Sequence, residues 1–487
     1  MTDAAHLLWS DAELERRRCE RSASALVAVQ RTLVEDPSLA GAKEFLRLYD
    51  VAEAADALHF TRVWRDPAAY HWVRRAVHLL AACRGAPLSA WERAYCAALG
   101  TEAPYAALAL HLREFGKFIL AIALCAGEDA ELCAPYEVSL PHALPGTDSA
   151  IIGQGRIRVH GLSAGRVEVA DGEGRRLLSS DELATPETPR LRTCPSVSLG
   201  EARIALNPFV FHLPGLGLFG RLSAADVAFQ ERHAPLVTDV LETLRRLQPS
   251  TFDRFTDLDH TVALKPAREE DYGTLSTSEL PGAFVCSVPA DPLALAADFV
   301  HELHHGRLFA IEEEGPFFEA GPEDAIEDAR HYSPWRDAPR PLHGLLHAIY
   351  VYLPVFRLWS AAFREGALDG TRRDFARDQL ARIPLQLAIG INQLRRHAHF
   401  TPFGAALFEE MAREAGDMRA EAATLGATAD VPAVSCRASG AIRPMLRRAD
   451  GRALTVGETL LEHVTRFDRG GECAEEQRSL VGPTGGP

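Results

Sequence analysis

The sequence predicts a mostly helical α+β protein, and three stretches of the chain carry this prediction. Residues 1–135 place apolar side chains at helical spacing, residues 136–215 alternate apolar and polar side chains between glycines, and helical spacing dominates the rest. We therefore expect a helical N-terminal region (1–135) and a β-rich segment followed by a helix (136–248). The predicted order ends with a helical region built on an H-E-x-x-H helix (249–430) and a C-terminal extension with a disordered tail (431–487).

Glycine and proline residues divide the N-terminal region into amphipathic segments. Each segment carries apolar side chains three or four positions apart, as a helix that buries one face requires. We interpret the region as a helical scaffold, with a role in substrate binding as the alternative. The predicted helices are Asp11–Val34, Gly41–Leu58, Pro67–Cys83, Ser89–Leu99 and Ala103–Cys125.

The β-rich segment is recognised by alternating side chains and by its glycines. Strands are expected at Ile151–Val159, Arg166–Val169 and Arg203–Leu213, before a helix over Ala224–Leu247.

Two further strands, His260–Leu264 and Gly282–Val288, are expected just before the H-E-x-x-H helix. A strand edge beside such a helix can bind an extended peptide by strand addition. The simpler alternative is a hairpin packed on the helix.

Long helices are expected after the motif. Glu312–Glu327 is strongly acidic, and we interpret it mainly as a solvated face. Tyr332–Pro341 is too rich in proline for a helix. The helices that follow are Leu342–Phe363 with a kink at Pro354, Arg373–His397, Pro402–Leu425 and a short one near Val456–Val464, before a disordered tail at Arg469–Pro487.

Composition excludes several classes of function. The chain has 487 residues, 47% of them hydrophobic, and a net charge of -15, whereas a nucleic-acid-binding protein needs a basic face. Nine cysteines without a C-x-x-C pair indicate reduced thiols. With no secretion leader and no apolar run of membrane-spanning length, we expect a cytoplasmic protein without nucleic-acid or membrane partners.

The motif helix is the strongest functional signal. Ala296–Gly306 reads AADFVHELHHG and contains His301-Glu302-Leu303-His304-His305. Residues four apart lie on one face of a helix, so His301 and His305 can bind one metal ion. Glu302 lies close enough to reach the same site. The sequence therefore predicts a metal centre here.

A catalytic metal usually takes a third protein ligand, and the sequence leaves its identity open. The metzincin continuation fails, because Ile311 stands where its third histidine belongs. Glu323 or Glu327 would be the ligand in a thermolysin-like site. His347 lies on an apolar helix and can face the interior.

A stiff, arginine-rich loop follows the motif. Arg336 and Arg340 flank Asp337 among three prolines. Guanidinium groups bind carboxylates bidentately, and a stiff loop lowers the entropy lost on binding. These arginines are suited to bind the distal carboxylate of 2-oxoglutarate. The alternative is that they form a structural ion pair with Asp337 or with the acidic residues upstream.

Several segments together carry a family resemblance, strongest over about residues 250–410. The chain resembles the HExxH-motif proteins encoded beside ribosomal-peptide maturation systems, described as iron- and 2-oxoglutarate-dependent peptide β-hydroxylases. The residues that carry the resemblance are Leu280-Pro281-Gly282, Pro289-Ala290-Asp291-Pro292, His301–His305, the stretch from Tyr332 to Leu342 reading YSPWRDAPRPL, and Gly344-Leu345-Leu346-His347.

The resemblance implies a specific set of roles. Fe(II) would be held by His301, His305 and a third group, His347 first and Glu323 or Glu327 second. 2-Oxoglutarate would chelate the iron, with Arg336 or Arg340 on its distal carboxylate. O2 would then bind, and a side-chain β-carbon of a ribosomally made precursor peptide would be hydroxylated. Glu302 would orient the ligands.

Two other classes of function fit the same residues. In a zinc metallopeptidase, Glu302 would be the general base that activates a zinc-bound water. In a metal-free protein that recognises a leader peptide, replacing His301 would change neither affinity nor stability.

Overall fold

Helices dominate the structure, a computed structural model that describes residues 10–171, 174–178, 189–213, 224–257, 260–267, 273–289, 291–319, 331–336, 338–434 and 452–467. About 60% of the residues are helical and 17% are in strands. The predicted mostly helical α+β class is thereby confirmed. The tail predicted at Arg469–Pro487 lies outside the described residues.

The N-terminal region is helical, and two of its predicted helices are each divided in two. One of them ends at Glu53, and Asp56 then begins a new helix, because its carboxylate accepts a hydrogen bond from the amide of Leu58. The helices are α1 (Asp11–Glu35), α2 (Ala42–Glu53), α3 (Ala57–Trp64), α4 (Pro67–Cys83), α5 (Ala90–Ala98), α6 (Pro104–Arg113) and α7 (Gly116–Ala126).

Three sheets follow, and the first two are antiparallel. Their strands are β1 (Ala130–Ser139), β2 (His142–Ala143), β3 (Ser149–Ile152), β4 (Arg156–Ser163), β5 (Arg166–Asp171), β6 (Gly174–Leu178) and β7 (Arg190–Thr193). They pair in the orders β1-β4-β5-β6 and β2-β3-β7.

The third sheet lies beside the motif helix. Its strands are β8 (Ser196–Leu199), β9 (Ala202–Ala205), β10 (His260–Pro266), β11 (Thr274–Ser276) and β12 (Ala283–Val288), in the order β11-β12-β10-β9-β8. The long strand predicted at Arg203–Leu213 is wrong. Only β9 is extended there, and Pro208, which has no amide hydrogen, begins a 3-10 turn over Pro208–Phe211.

The two strands predicted before the motif do not form a hairpin with each other. β10 and β12 are parallel neighbours, and β11 pairs antiparallel with β12 at the edge of the sheet. This edge therefore borders the space in front of the motif helix.

The motif helix, α10 (Pro292–Glu312), begins where its sequence predicts. Asp291 accepts hydrogen bonds from the amides of Leu293 and Ala294, and Pro292 occupies the first turn. One apolar face packs on the sheet, where Phe299 contacts Phe284 edge to face with 5.1 Å between ring centres.

The remaining helices are α8 (Ala224–Leu247), α9 (Pro249–Asp257), α11 (Leu342–Glu365), α12 (Gly370–His397), α13 (Pro402–Thr424) and α14 (Val456–Phe467). Among the described residues, α11 is the one helix long and apolar enough to cross a membrane, but 83% of its most apolar stretch is buried inside the protein. This burial is typical of the core helix of a soluble protein.

Two hydrophobic cores hold these elements together. One joins the N-terminal helices to the four-stranded sheet, and the other joins the five-stranded sheet to the helices from α8 onwards. A buried ion pair links the two parts: Arg75 of α4 donates to both oxygens of Glu279, which follows β11, at 3.0 and 2.9 Å. The division into four regions stays a prediction.

The arginine-rich loop is anchored by its tryptophan. Trp335 stacks on Tyr352 of α11 with 5.6 Å between ring centres, and Gln386 of α12 donates to the carbonyl of Pro334 at 2.9 Å. A Cβ atom at Gly390 would lie 2.7 Å from the Trp335 ring. Only glycine at this position therefore leaves room for the indole.

We expect Gly390→Ala to lower the stability of the protein by about 1–3 kcal/mol, because the rigid indole must move. Gly416→Ala is the matched control. Gly416 also lies within a helix but has open space where its Cβ would be, so alanine there should raise the stability by about 0.5–1 kcal/mol. Urea unfolding followed by circular dichroism measures both. Equal effects of the two variants would contradict the packing argument.

Candidate metal centre

One open cleft of about 650 Å³ lies between α10, α11, β11 and the loop that precedes α11. All six residues that the sequence analysis preferred for catalytic, cofactor-binding or metal-ligating roles line this cleft. These residues are His301, Glu302, His305, Arg336, Arg340 and His347.

The motif histidines form a close pair on the wall of the cleft. The Nε2 atoms of His301 and His305 lie 3.2 Å apart. Two nitrogens bound to one zinc ion at about 2.0–2.1 Å are roughly 3.0–3.4 Å apart, so the spacing fits a shared ion. Burial lowers the pKa of both imidazoles, and the charges of Arg336 and Arg340 help to lower that of His301 to about 3. Both rings are therefore in the uncharged form that binds a metal.

His347 approaches the pair from α11. Its Nδ1 lies 3.1 Å from Nδ1 of His305, and its Nε2 lies 3.3 Å from Oε1 of Glu312. When a carboxylate accepts a hydrogen bond from one ring nitrogen, that nitrogen keeps the proton. The other ring nitrogen then has the lone pair that can bind a metal, as in many metal-binding histidines. Glu312 is thus placed to orient His347.

The three imidazoles form two pairs and do not converge on one point. His305 stands in the middle and turns Nε2 to His301 and Nδ1 to His347. Among the described residues, one group of three ligand atoms lies within 4.8 Å of one another, and it consists of Glu312, His343 and His347. His301 and His305 are therefore the pair that fits a shared ion, and His347 is a third imidazole next to them.

Glu302 is buried beside the pair of imidazoles formed by His301 and His305. Burial raises the pKa of its carboxyl from 4.5 to about 7, and the hydroxyls of Thr274 and Ser276 on β11 partly offset this rise. Its Oε2 atom forms no hydrogen bond among the residues that the structure describes. At neutral pH the carboxyl group of Glu302 is therefore partly protonated and partly ionised.

Arg336 and Arg340 give the cleft its positive charge. Burial and the neighbouring charge of Arg336 lower the pKa of Arg340. Within the described part of the chain, neither guanidinium lies within ion-pair distance of a carboxylate. Asp337, the partner of the alternative ion pair, lies outside the described residues. The positive charges of the two guanidinium groups repel each other, and a bound anion would reduce this repulsion.

The first three acidic residues after the motif are exceptions to the mainly solvated face that the sequence predicts. Glu312 contacts His343 and His347, while Glu313 and Glu314 form ion pairs with arginines of α1. Hydrogen bonds from the two histidines lower the pKa of Glu312 to about 2, although burial opposes this. Its position seven residues after His305, two turns along the same helix face, is the signal that sequence reasoning missed.

Two predicted ligands and one motif histidine remain to be placed. Glu323 and Glu327 lie outside the described residues. His304 faces away from the cleft, where its Nδ1 bonds the carbonyl of Val300 and its Nε2 bonds Arg254, both at 2.7 Å. His304 is therefore a structural residue of the rear face.

No family model matches the chain, and no curated protein is significantly similar to it.

We expect the stability of the metal-free protein to depend on pH through Glu302. Because its pKa is about 7 in the folded protein and 4.5 for an ordinary glutamate in water, the folded protein keeps a proton that the unfolded chain loses. Its contribution to stability is therefore fully present below pH 4.5 and lost as the pH rises through 7. Glu302→Gln removes this loss, so the variant should gain stability relative to wild type over that range, by at most about 3 kcal/mol.

Urea unfolding in the presence of a chelator at a series of pH values measures this difference. Glu409→Gln is the control, because the Glu409 side chain is 70% exposed on α13. Parallel pH profiles for wild type and Glu302→Gln would show that the buried carboxyl titrates normally.

Proposed function

We propose that the protein is an iron- and 2-oxoglutarate-dependent hydroxylase that acts on a side-chain β-carbon of a ribosomally made precursor peptide. The single observation that carries this proposal is one cleft in which two guanidinium groups, unpaired among the described residues, lie beside an imidazole pair. A zinc hydrolase does not need such an anion site, whereas a bound keto diacid does.

The motif pair fits the proposed metal. His301 and His305 would hold Fe(II) through their Nε2 atoms. His347, whose Nδ1 faces Nδ1 of His305, would have to turn toward the ion to become the third group. Fe(II) with 2-oxoglutarate and O2 supplies the oxidation: one oxygen atom converts C–H to C–OH, and the other enters succinate as 2-oxoglutarate loses CO2.

The chain's own residues bind and orient the reactants. Arg336 or Arg340 would hold the distal carboxylate of 2-oxoglutarate by charge-assisted hydrogen bonds. Trp335 and Tyr352 keep these arginines at the cleft by stacking. Glu302 lies near the imidazole pair, with its Oε1 3.9 Å from Nε2 of His301, which is beyond hydrogen-bond distance, so it would orient the ligands through a group bound at the metal.

The edge strand β11 supports a peptide as the substrate. Gly273 accepts a backbone hydrogen bond from Ser287 at 3.2 Å. Because antiparallel pairing alternates, the amide and carbonyl groups of Thr274 and Ser276 point away from β12. An extended peptide can pair with these groups and present a side chain to the cleft.

Reduced thiols support a cytoplasmic location, which stays part of the proposal. Six cysteines of the described residues are free: Cys19, Cys83, Cys96, Cys125, Cys194 and Cys286.

A zinc metallopeptidase is the second candidate, and Glu302 favours it. A carboxyl with a pKa of about 7 beside a metal-ligating pair suits a general base. This function predicts that Glu302→Gln abolishes peptide cleavage while zinc stays bound, and that cleavage proceeds without O2. The hydroxylase predicts an O2-dependent gain of one oxygen atom, visible by mass spectrometry.

An anaerobic titration of metal-stripped protein tests the hydroxylase without knowledge of the peptide. Fe(II) and 2-oxoglutarate together should give a visible metal-to-ligand charge-transfer band that neither gives alone, and His301→Ala should abolish it. Arg336→Ala, Arg340→Ala or both should weaken 2-oxoglutarate binding by about 10–100-fold, the cost of lost hydrogen bonds to a charged group. Arg245→Ala, an exposed arginine of α8, is the control.

The same titration can reject each part of the proposal. A band whose 2-oxoglutarate dependence neither arginine variant changes would exclude the carboxylate clamp. No band, together with tightly retained zinc, would favour the metallopeptidase.

A further inference from the structure

A second group of ligand atoms lies beside the first, where the end of α10 meets the start of α11. Oε1 of Glu312 contacts the Nε2 atoms of both His343 and His347, the latter at 3.3 Å. All three ligand atoms lie within 4.8 Å of one another.

The group follows from the way the two helices pack. His343 and His347 are four residues apart and share a face of α11, with 4.3 Å between their ring centres. Glu312 ends α10 and projects between them. The three side chains therefore converge from two rigid helices, as a binding site requires.

The chemistry of these atoms selects one class of ligand. Two imidazoles and one carboxylate suit borderline divalent ions such as Zn²⁺, Co²⁺ or Ni²⁺, whereas Mg²⁺ and Ca²⁺ prefer oxygen ligands alone. The His343 side chain is 48% exposed, and both histidines line the cleft. An ion can therefore enter from solvent and keep water at its open positions.

We propose that Glu312, His343 and His347 form a second cation site for a divalent transition metal, next to the site of His301 and His305. A neutral imidazole has one lone pair, so His347 can bind an ion through Nδ1 or through Nε2 but not through both. His347 thus serves one site at a time. This sharing rests on the role proposed for His347 above, whereas the second site itself does not.

Isothermal titration of the metal-stripped full-length protein with Zn²⁺ tests the site. Wild type should bind two equivalents, and His343→Ala should lose one of them or bind it at least about tenfold more weakly, since even outer partners of metal ligands change affinity by about 10–100-fold. The double variant His301→Ala/His305→Ala should keep the equivalent that depends on His343. His347→Gln should weaken one of the two equivalents and leave the other unchanged, because His347 serves one site at a time; weakening of both equivalents would contradict the sharing.

His59→Ala is the control for loss of an imidazole, because His59 lies on α3 outside the cleft. Circular dichroism checks that the variants fold, and His343→Gln provides a second variant of this exposed position. A single equivalent in wild type, or two unchanged equivalents in both His343 variants, would overturn the inference.

The outcomes separate this inference from the proposed function. Two zinc equivalents without the iron–2-oxoglutarate band would contradict the proposed function alone. The band together with one zinc equivalent that His343→Ala leaves unchanged would contradict the second site alone.

Discussion

The packing of α10 against α11 is the contact on which the rest of the site depends. α10 is buried on one side by the five-stranded sheet and on another by α11, and one strip of polar residues on the helix faces the cleft. This strip carries His301, Glu302 and His305. The same contact brings His347 to His305 and Glu312 to His347. A shift of one helix along the other would break both of these contacts at once.

The charges in the cleft are distributed in an unusual way for an acidic protein. The chain has a net charge of -15, yet its cleft contains two arginines without a carboxylate partner among the described residues. Burial lowers the pKa of His301, His305 and His347, and it raises the pKa of Glu302 to about 7. Two neighbouring cations without a counter-charge reduce stability, and this is the observation behind the proposed anionic ligand.

The two candidate functions use the same parts differently. A hydroxylase needs the arginines to hold a co-substrate and uses Glu302 only for orientation. A peptidase needs Glu302 as its base and has no use for the arginines. Both functions can use the open edge of β11 for an extended peptide, so this edge supports the substrate class more strongly than it supports either reaction.

The amino-acid sequence alone determined the structural features that depend on residues close together in the chain. Helical spacing predicted the bounds of α4 and α8 to the residue, and the four-residue spacing of the motif put His301 and His305 on one face. The tertiary structure decided what depends on distant residues. The parallel pairing of β10 with β12, the contact of Glu312 with His347 and the fit of Trp335 over Gly390 each join segments far apart in the chain. No local pattern records these contacts, because they form only when separate elements bury their apolar faces together.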